Sequence, residues 1–236
     1  MKHSHLGILV AIEGIDGAGK STQVGLISRR LAAIGLPVVC SREPTDGPHG
    51  RRLRESALTG RLSAAEELET FIADRREHVM KVIRPALIEG KVVLLDRYYF
   101  STAAYQGIRG LDWRAIVAQN EEFAPEPDIL VILKVAAADG FSRVRVRDGR
   151  PNHFEAEGDL LRSDAIFDEV TAPYVLRLNG ARDREIICAE IVDRIVRVGL
   201  DRLMACSTED RELLQSLEKR LTAWAASGLS TGTGVS

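Results

Sequence analysis

Five short apolar stretches recur along the chain, at residues 8–12, 37–41, 92–96, 129–133 and 174–178. They are rich in valine, isoleucine and leucine and are continuously apolar rather than alternating, which is typical of strands buried on both faces of a parallel sheet. The longer segments between them carry apolar residues at intervals of three and four, the period of an amphipathic helix. The sequence therefore predicts an alternating α/β fold with a parallel sheet.

Helical spacing is clearest directly after the first stretch, where apolar residues recur every three or four positions from Val24 to Ile34. Gly35 stands where a helix terminator is expected, and Pro37 cannot continue a helix. A second, longer helical pattern ends near Gly90, just before the third stretch. In all, the pattern predicts helices over residues 20–34, 64–88, 112–122, 138–147, 154–170 and 184–198.

The composition excludes several classes of protein. The 32 basic and 34 acidic side chains give a formal net charge of −2, without the positive excess that draws nonspecific binders to nucleic acid. No segment approaches the ~18–20 apolar residues of a membrane-spanning helix, and the three cysteines form neither a CxxC pair nor an even set. We therefore expect a cytoplasmic protein with no nucleic-acid or membrane partner.

The domain organisation follows from length and from a change of character near residue 200. The 236 residues suffice for one sizeable core, which we expect over residues 1–200. Residues 201–236 form an extension with one amphipathic helix, at 209–224, and a flexible end. Packing of that helix against the domain is favoured, and binding of a partner stays open.

A glycine-rich segment, residues 14–22, directly follows the first predicted strand and opens into the first predicted helix. Its sequence, GIDGAGKST, fits the pattern GxxxxGK[ST], in which backbone N–H groups and a lysine surround phosphate oxygens while a hydroxyl faces Mg²⁺. A glycine-rich turn without a ligand is the alternative, which the coincidence of strand, motif and helix disfavours. The candidate ATP-binding residues of this phosphate loop are Gly14, Ile15, Asp16, Gly17, Ala18, Gly19, Lys20, Ser21 and Thr22.

Charged side chains also stand at the ends of the second and third predicted strands. Arg42 begins an Arg-Glu-Pro triplet, and Asp96 and Arg97 end the third strand. Because ligands of open α/β sheets bind at the carboxyl ends of the strands, we expect these groups beside the phosphate loop. Together with Ser21, Asp96 can hold Mg²⁺, directly or through water, and Arg97 can grip a phosphate. A surface ion pair is the alternative.

One pair on the long predicted helix, Phe71 and Arg75, is four residues apart and so shares a face. A ring that stacks on a base, next to a guanidinium that bonds its carbonyl oxygen, would form a pyrimidine pocket. An ordinary place for Phe71 in the core is the alternative.

These motifs, in their order and spacing, resemble the thymidylate kinase family over residues 7–198. The matching motifs are the phosphate loop, Arg42-Glu43-Pro44, Phe71-x-x-Asp74-Arg75, Asp96-Arg97-Tyr98 with Ser101, and Ala104-Tyr105-Gln106-Gly107. The resemblance implies a three-layer P-loop kinase fold, with a five-stranded parallel sheet, helices on both faces and a mobile lid. It also implies a homodimer that uses ATP and Mg²⁺ to phosphorylate dTMP to dTDP in the synthesis of dTTP.

The resemblance further implies how the acceptor nucleotide is held. Arg97 and Arg42 hold its phosphate, while Phe71 stacks on thymine and Arg75 bonds a ring oxygen. Tyr105 crowds the 2′ position of the sugar and so favours deoxyribose.

The resemblance also implies further contacts with the acceptor and the donor nucleotide. Ser101 and Gln106 line the acceptor pocket, and Asp16 lies near the acceptor's sugar hydroxyl and the phosphates. Asn179 and Ala181, after the last strand, border the adenine of the donor.

A local positive patch precedes a predicted break in the helix. It consists of Arg143, Arg145, Arg147 and Arg150, and Asp148-Gly149 and Pro151 break the helix there, which indicates a mobile lid over residues 143–155. A solvated, charged helix face is the alternative, and it is favoured for Arg145. Some thymidylate kinases carry a catalytic arginine in the phosphate loop, where this chain has Gly17. The resemblance therefore implies that this chain depends on its lid.

The catalytic residues implied are Lys20, Arg97, Asp16, Arg147 and Arg150. Many relatives carry Asp-Arg where this chain has Asn152-His153, so Arg150 is expected to have taken over that role. Replacing it by alanine should then lower turnover far more than ATP affinity. Two alternatives stay open, namely a weakened nucleotide-binding module whose extension binds a partner, and a kinase for a different deoxynucleotide.

Overall fold

The computed structural model describes residues 7–148 and 157–205, together with Lys219. Five strands form one parallel sheet in the order β2-β3-β1-β4-β5. They are β1 (Ile8–Glu13), β2 (Val38–Arg42), β3 (Val92–Asp96), β4 (Ile129–Lys134) and β5 (Val175–Asn179). The predicted α/β class and the five parallel strands are confirmed.

Helices surround this sheet. In chain order they are α1 (Lys20–Ala33), α2 (Pro48–Thr59), α3 (Ala64–His78), α4 (Arg84–Ile88), α5 (Tyr99–Gly107), α6 (Trp113–Glu121), α7 (Ala137–Asp148), α8 (Glu157–Glu169) and α9 (Arg184–Ala205). No helix in the described ranges combines the length and the apolar character that crossing a membrane requires.

The central strand, β1, shows why the apolar stretches are continuous. All six of its residues are buried, and successive residues of a strand point to opposite faces, so both faces of the sheet are covered. Its neighbours bring their carboxyl ends to the same edge, since Ile12 lies opposite Asp96 and Arg42 also lies opposite Asp96. This edge is where the charged side chains gather.

Local signals explain how several helices begin and end. Gly35 has a φ of 75°, and its N–H and that of Leu36 bond back to Ala32 and Leu31, which closes α1. At the start of α3 the Ser63 side chain and the Glu66 side chain each bond the other's backbone N–H.

The long helix predicted over residues 64–88 is confirmed as one continuous helical segment, but it contains a wider turn. A π-helical turn, Val79–Ile83, joins α3 to α4, and the N–H of Arg84 bonds the carbonyl of Val79. The next residue, Pro85, has no N–H and its ring would clash with the carbonyl four residues earlier in a regular helix. The wider turn accommodates this proline.

Two helices were not predicted from the sequence. In α2 the polar residues dominate and only four residues are buried, so the apolar period is weak. In α5 eight of nine residues are buried, so there is no polar face to reveal the period. Conversely, α9 continues to Ala205, seven residues beyond its predicted end.

Some sequence predictions fall outside the described residues. These are the start of the helix predicted at 154, most of the lid and nearly all of the extension. The division of the chain at residue 200 therefore stays a prediction.

Candidate active site

The phosphate loop connects β1 to α1. Gly17 within it has a φ of 80°, in the left-handed region that favours glycine. A Cβ at this position would stand 2.2 Å from the carbonyl oxygen of Gly140, near the start of α7. The loop thus packs against α7 with no room for a side chain at residue 17.

Lys20 begins α1 and is almost fully buried. Its Nζ donates to the carbonyl oxygens of Gly14, at 3.0 Å, and Ile15, at 2.8 Å. Burial, with the nearby Arg97 cation, lowers the pKa of Lys20 to about 8, although the carboxylate of Asp16 opposes this shift. The loop therefore encloses a cation whose charge a bound phosphate would stabilise.

Ser21 and Asp96 lie side by side at the edge of the sheet. The Ser21 hydroxyl, in the first turn of α1, donates to the Asp96 carboxylate at the end of β3. Hydroxyl and carboxylate oxygens are ligands that Mg²⁺ prefers, so this pair fits that ion. Among the described residues no group of three or more His, Cys, Asp or Glu could hold a metal alone. A magnesium ion here would complete its shell with phosphate and water oxygens.

Arg97 has a φ of 72°, which is strained for a residue other than glycine. Its guanidinium donates to the Asp16 carboxylate and, at 3.0 Å, to the Ser101 hydroxyl. Burial opposes its charge, but Asp16 and the other acidic groups around it raise the pKa of Arg97 above its usual value. The guanidinium is therefore a permanent, oriented cation.

Glu13, the last residue of β1, is fully buried beneath this cluster. Its Oε1 accepts the N–H groups of Tyr98, at 2.7 Å, and Ser101, at 3.1 Å, and its Oε2 pairs with the Ser101 hydroxyl. These N–H groups belong to the start of α5, which has no capping side chain of its own, so Glu13 caps that helix from a strand. Burial raises the pKa of Glu13 to about 7, against the opposing effects of Ser101 and Arg97.

A cavity of about 820 Å³ opens beside the phosphate loop. Its wall combines the loop, the ends of β2 and β3, and parts of α2, α3, α5 and α7. The predicted site residues that line it are Asp16, Gly17, Gly19, Lys20, Ser21, Thr22, Arg42, Phe71, Arg75, Asp96, Arg97, Ser101 and Tyr105. Candidates from both predicted nucleotide sites thus share one cavity.

Tyr105 and Gln106 are neighbours in α5 but differ in their surroundings. The Tyr105 hydroxyl donates to Asp16 at 3.2 Å, and burial with that carboxylate raises the pKa of the phenol. Gln106 is fully buried and lies outside the cavity lining, because its amide nitrogen donates to Glu67 at 2.6 Å. Arg109 reaches the same carboxylate oxygen.

Arg42, at the end of β2, points its guanidinium to Asp46 at 2.9 Å. Hydrogen bonding and charge from Arg42 lower the pKa of that carboxyl group. Arg54 of α2 reaches the same carboxylate at 3.0 Å and also lines the cavity. The sequence analysis missed Arg54 because it missed α2, although the run of arginines at 51, 52 and 54 was a signal that could have pointed to it.

The segment after β5 lies next to the phosphate loop. Asn179 accepts the N–H of Ala181 at 2.9 Å through its side-chain oxygen. A Cβ at Gly180 would stand 3.1 Å from the carbonyl oxygen of Ala18. Asn179 and Ala181 are therefore close to the loop, although they do not line the cavity. The predicted loop residues Gly14, Ile15 and Ala18 also lie outside the lining of the cavity.

The arginines predicted for the lid are only partly described. Arg143 of α7 donates to the carbonyl oxygen of Gly17 at 3.1 Å and lines the cavity. Arg145 is exposed, with its guanidinium carbon 6.0 Å from the centre of the Phe141 ring. The side chain of Arg147, the whole of Arg150 and the residues at 152 and 153 lie outside the described residues.

Comparison with known proteins gives one consistent result. A family model described as Thymidylate kinase matches residues 12–189. Similar proteins named thymidylate kinase come from Xanthomonas campestris pv. campestris (strain B100), Xanthomonas euvesicatoria pv. vesicatoria (strain 85-10) and Akkermansia muciniphila. They are 44%, 45% and 48% identical to this chain. The alignments cover 86%, 84% and 78% of this chain and 88%, 87% and 89% of those proteins.

Proposed function

Because the chain belongs to the thymidylate kinase family, we propose that it transfers the γ-phosphoryl group of ATP to dTMP and releases ADP and dTDP. The observation that carries this proposal is the single cavity that includes both the phosphate loop and the pair Phe71 and Arg75. Such a cavity gives two nucleotides one space in which their phosphates can meet.

The donor end is the phosphate loop. Its backbone N–H groups and the start of α1 favour the negative charge of a triphosphate, and Lys20 adds a full positive charge. Arg143, bonded to the loop at Gly17, is proposed as a further cation for the donor phosphates. Asn179 and Ala181, beside the loop, are proposed to border adenine.

The acceptor end of the cavity is formed by the lining residues outside the phosphate loop. Phe71 is proposed to stack on thymine and Arg75 to bond a carbonyl oxygen of the base. Tyr105, held by Asp16, would stand at the sugar, with Ser101 and Gln106 nearby. The acceptor phosphate would be gripped by Arg97 and by Arg42, whose present partner, Asp46, lies on the surface.

Magnesium is the metal that the proposed reaction requires. Ser21 and Asp96 would hold it, directly or through water, as their adjacent oxygens allow. When bound, the ion supplies positive charge that neutralises the phosphate oxygens of the donor.

The chain's own contribution to the reaction is alignment and neutralisation of charge. An oxygen of the dTMP phosphate attacks the γ-phosphorus of ATP, and the bond to the β–γ bridging oxygen breaks as that oxygen leaves with ADP. Lys20 and Arg97 stabilise the charge on the group in transit, and Asp16 keeps the Arg97 guanidinium oriented. Arg147 and Arg150 are the proposed lid cations that close over it and exclude water.

A homodimer and a cytoplasmic location belong to the same proposal. Met80 and Ile88, two large apolar side chains exposed on the helical segment of residues 64–88, support the dimer. Gel filtration at several concentrations should give the mass of two chains, and the mass of one chain throughout would contradict it.

A coupled assay tests the proposed activity. Purified protein is given ATP, Mg²⁺ and, in turn, dTMP, dUMP, dCMP, dAMP and dGMP, with Lys20→Met as the inactive control. We expect the highest kcat/KM with dTMP. Saturable nucleotide binding without turnover of any monophosphate would contradict the proposal and favour the weakened binding module, and a preference for another monophosphate would favour a different kinase.

A further inference from the structure

Arg75 is more completely enclosed than Lys20 and Arg97, two other cations of the cavity. Its side chain is 1% exposed, yet it forms part of the cavity wall. Burying an arginine is costly unless every part of the guanidinium finds a partner. The partners of Arg75 therefore decide which of its N–H groups remain available to bind a ligand in the cavity.

A guanidinium has five N–H groups, and that of Arg75 makes three hydrogen bonds and one further ion-pair contact inside the protein. Nε and Nη2 both point to Oε2 of Glu43, at 2.7 and 2.6 Å. Nη2 also donates to the Thr102 hydroxyl at 2.9 Å, and Nη1 donates to Oδ1 of Asn120 at 2.7 Å. One N–H, on Nη1, has no partner in the part of the chain that the structure describes.

Two of the partners of Arg75, Asn120 and Glu43, are themselves held in place by further hydrogen bonds. The Asn120 side chain is fully buried and its nitrogen donates to the carbonyl of Ile116 at 2.7 Å, which fixes its oxygen towards Arg75. The other oxygen of Glu43 pairs with Nδ1 of His78 at 2.9 Å, and Nε2 of that ring pairs with the Ser41 hydroxyl at 2.7 Å. The Arg75 and His78 contacts lower the pKa of the Glu43 carboxyl, although burial opposes this, so it remains the counter-charge of the arginine.

We propose that Asn120 and Glu43 are positioning residues that hold the last N–H of Arg75 in one direction, and so restrict the acceptor base to one with a carbonyl oxygen at the edge that Arg75 meets. The inference rests on the proposed function, because it takes Arg75 as the group that contacts the base. Thymine and uracil present an oxygen at position 4, whereas cytosine presents an amino group. A guanidinium that cannot turn would set its N–H against that amino group and leave both unpaired.

Asn120→Leu tests this inference, because leucine fills the same space without the acceptor oxygen. We expect KM for dTMP to rise on the order of ten-fold, with kcat at saturation and KM for ATP nearly unchanged. The ratio of kcat/KM for dTMP to that for dCMP should fall by a similar factor. Asn120→Asp keeps an oxygen for Arg75 but loses the donor to Ile116, so its KM and selectivity should lie between those of the wild type and Asn120→Leu.

Two further variants make the result decisive. Ser163→Ala is the matched control, because its hydroxyl is buried in α8 without a hydrogen-bond partner among the described residues, and it should leave all constants unchanged. If Asn120→Leu does not fold, Glu43→Gln replaces it in the test. We then expect a smaller rise in KM for dTMP and the same loss of selectivity for dTMP over dCMP.

The outcomes separate the two levels of the proposal. A wild-type protein that does not phosphorylate dTMP removes the proposed function itself. If the wild type is active and the folded variants keep its KM and its selectivity against dCMP, only the positioning role is overturned. A loss of kcat that is equal for dTMP and dCMP, with both KM values unchanged, would overturn it as well, since it would indicate a general structural effect.

Discussion

At the scale of single residues, the site is built from buried charges that compensate one another. Lys20, Arg75 and Arg97 each lie against backbone oxygens or carboxylates, so none is left alone in the protein interior. Glu13 differs from these cations, because its main partners are neutral donors, namely two backbone N–H groups and a hydroxyl. The same contacts that cap α5 also hold the residues next to Arg97, and they place a carboxyl group with a raised pKa beneath the site.

Replacing Glu13 by glutamine should make the stability of the protein less dependent on pH. Burial raises the pKa of Glu13 from 4.5 to about 7, so its favourable contribution to folding is complete below about pH 4.5 and is lost as the pH rises through about 7. Glutamine resembles the neutral acid and can accept the same N–H groups. Thermal unfolding of both proteins at about pH 5.5 and about pH 8 should show the variant gaining on the wild type at the higher pH. A constant difference in Tm would contradict the role assigned to Glu13.

The roles of residues could be predicted only where the residues belong to a recognisable sequence motif. Lys20, Asp96 and Arg97 stand in short contiguous patterns, and the structure brings them to one cavity. Asn120 and Glu13 could not be recognised, because their partners lie tens of positions away in the chain and depend on how α5 and α6 pack. Pairing of that kind is set by tertiary structure, which periodicity does not encode.

At the scale of elements, the start of α7 is joined to the phosphate loop. Gly17 and Gly140 meet backbone to backbone, and Arg143 bonds the loop carbonyl one turn further along α7. The predicted lid, residues 143–155, begins within α7, at the arginine that bonds the loop. The sequence pattern predicted α7 itself, but not its contact with the loop.

Gly17→Ala should therefore lower stability and ATP affinity by more than its left-handed backbone conformation alone explains. A left-handed φ costs an alanine about 1–2 kcal/mol of stability wherever it occurs. Gly110→Ala is the matched control, because Gly110 has a φ of 96° but no described atom within 4 Å of its would-be Cβ. Both variants carry the backbone cost, but Gly17→Ala should lose more stability than the control because of the added clash, and only Gly17→Ala should lose ATP affinity, by on the order of ten-fold or more. Equal ATP dissociation constants for the two variants would refute the contact.

At the scale of the whole molecule, α9 joins the two ends of the described chain. Arg202, near its end, donates to the carbonyl of Gly7 and to the carboxylate of Asp128, which also accepts the N–H of Leu9 at 2.7 Å. The helix could be placed from its apolar spacing, but its last seven residues could not, because they are stabilised by this distant contact. The segment that matches the family model ends earlier, at residue 189.

A chain that ends at Ala205 should retain both fold and activity. It keeps the Arg202 contacts and lacks only residues beyond α9, so Tm should stay within about 2 °C and kcat for dTMP within about two-fold of the full chain. Arg202→Leu, by contrast, removes the ion pair with the buried Asp128 carboxylate and should cost about 2–4 kcal/mol of unfolding free energy. Loss of turnover in the shortened chain would instead assign the extension a part in the reaction.

The central claim is that ATP and dTMP face each other in one cavity, and a crystal structure with both sites filled tests it most directly. Crystals grown with a non-hydrolysable ATP analogue, Mg²⁺ and dTMP should show the triphosphate enclosed by residues 14–22. Thymine should lie on Phe71 with a carbonyl oxygen at Arg75, and its phosphate should lie at Arg97. A nucleotide bound elsewhere, or a phosphate loop that stays closed on its own side chains at saturating ligand, would contradict the account.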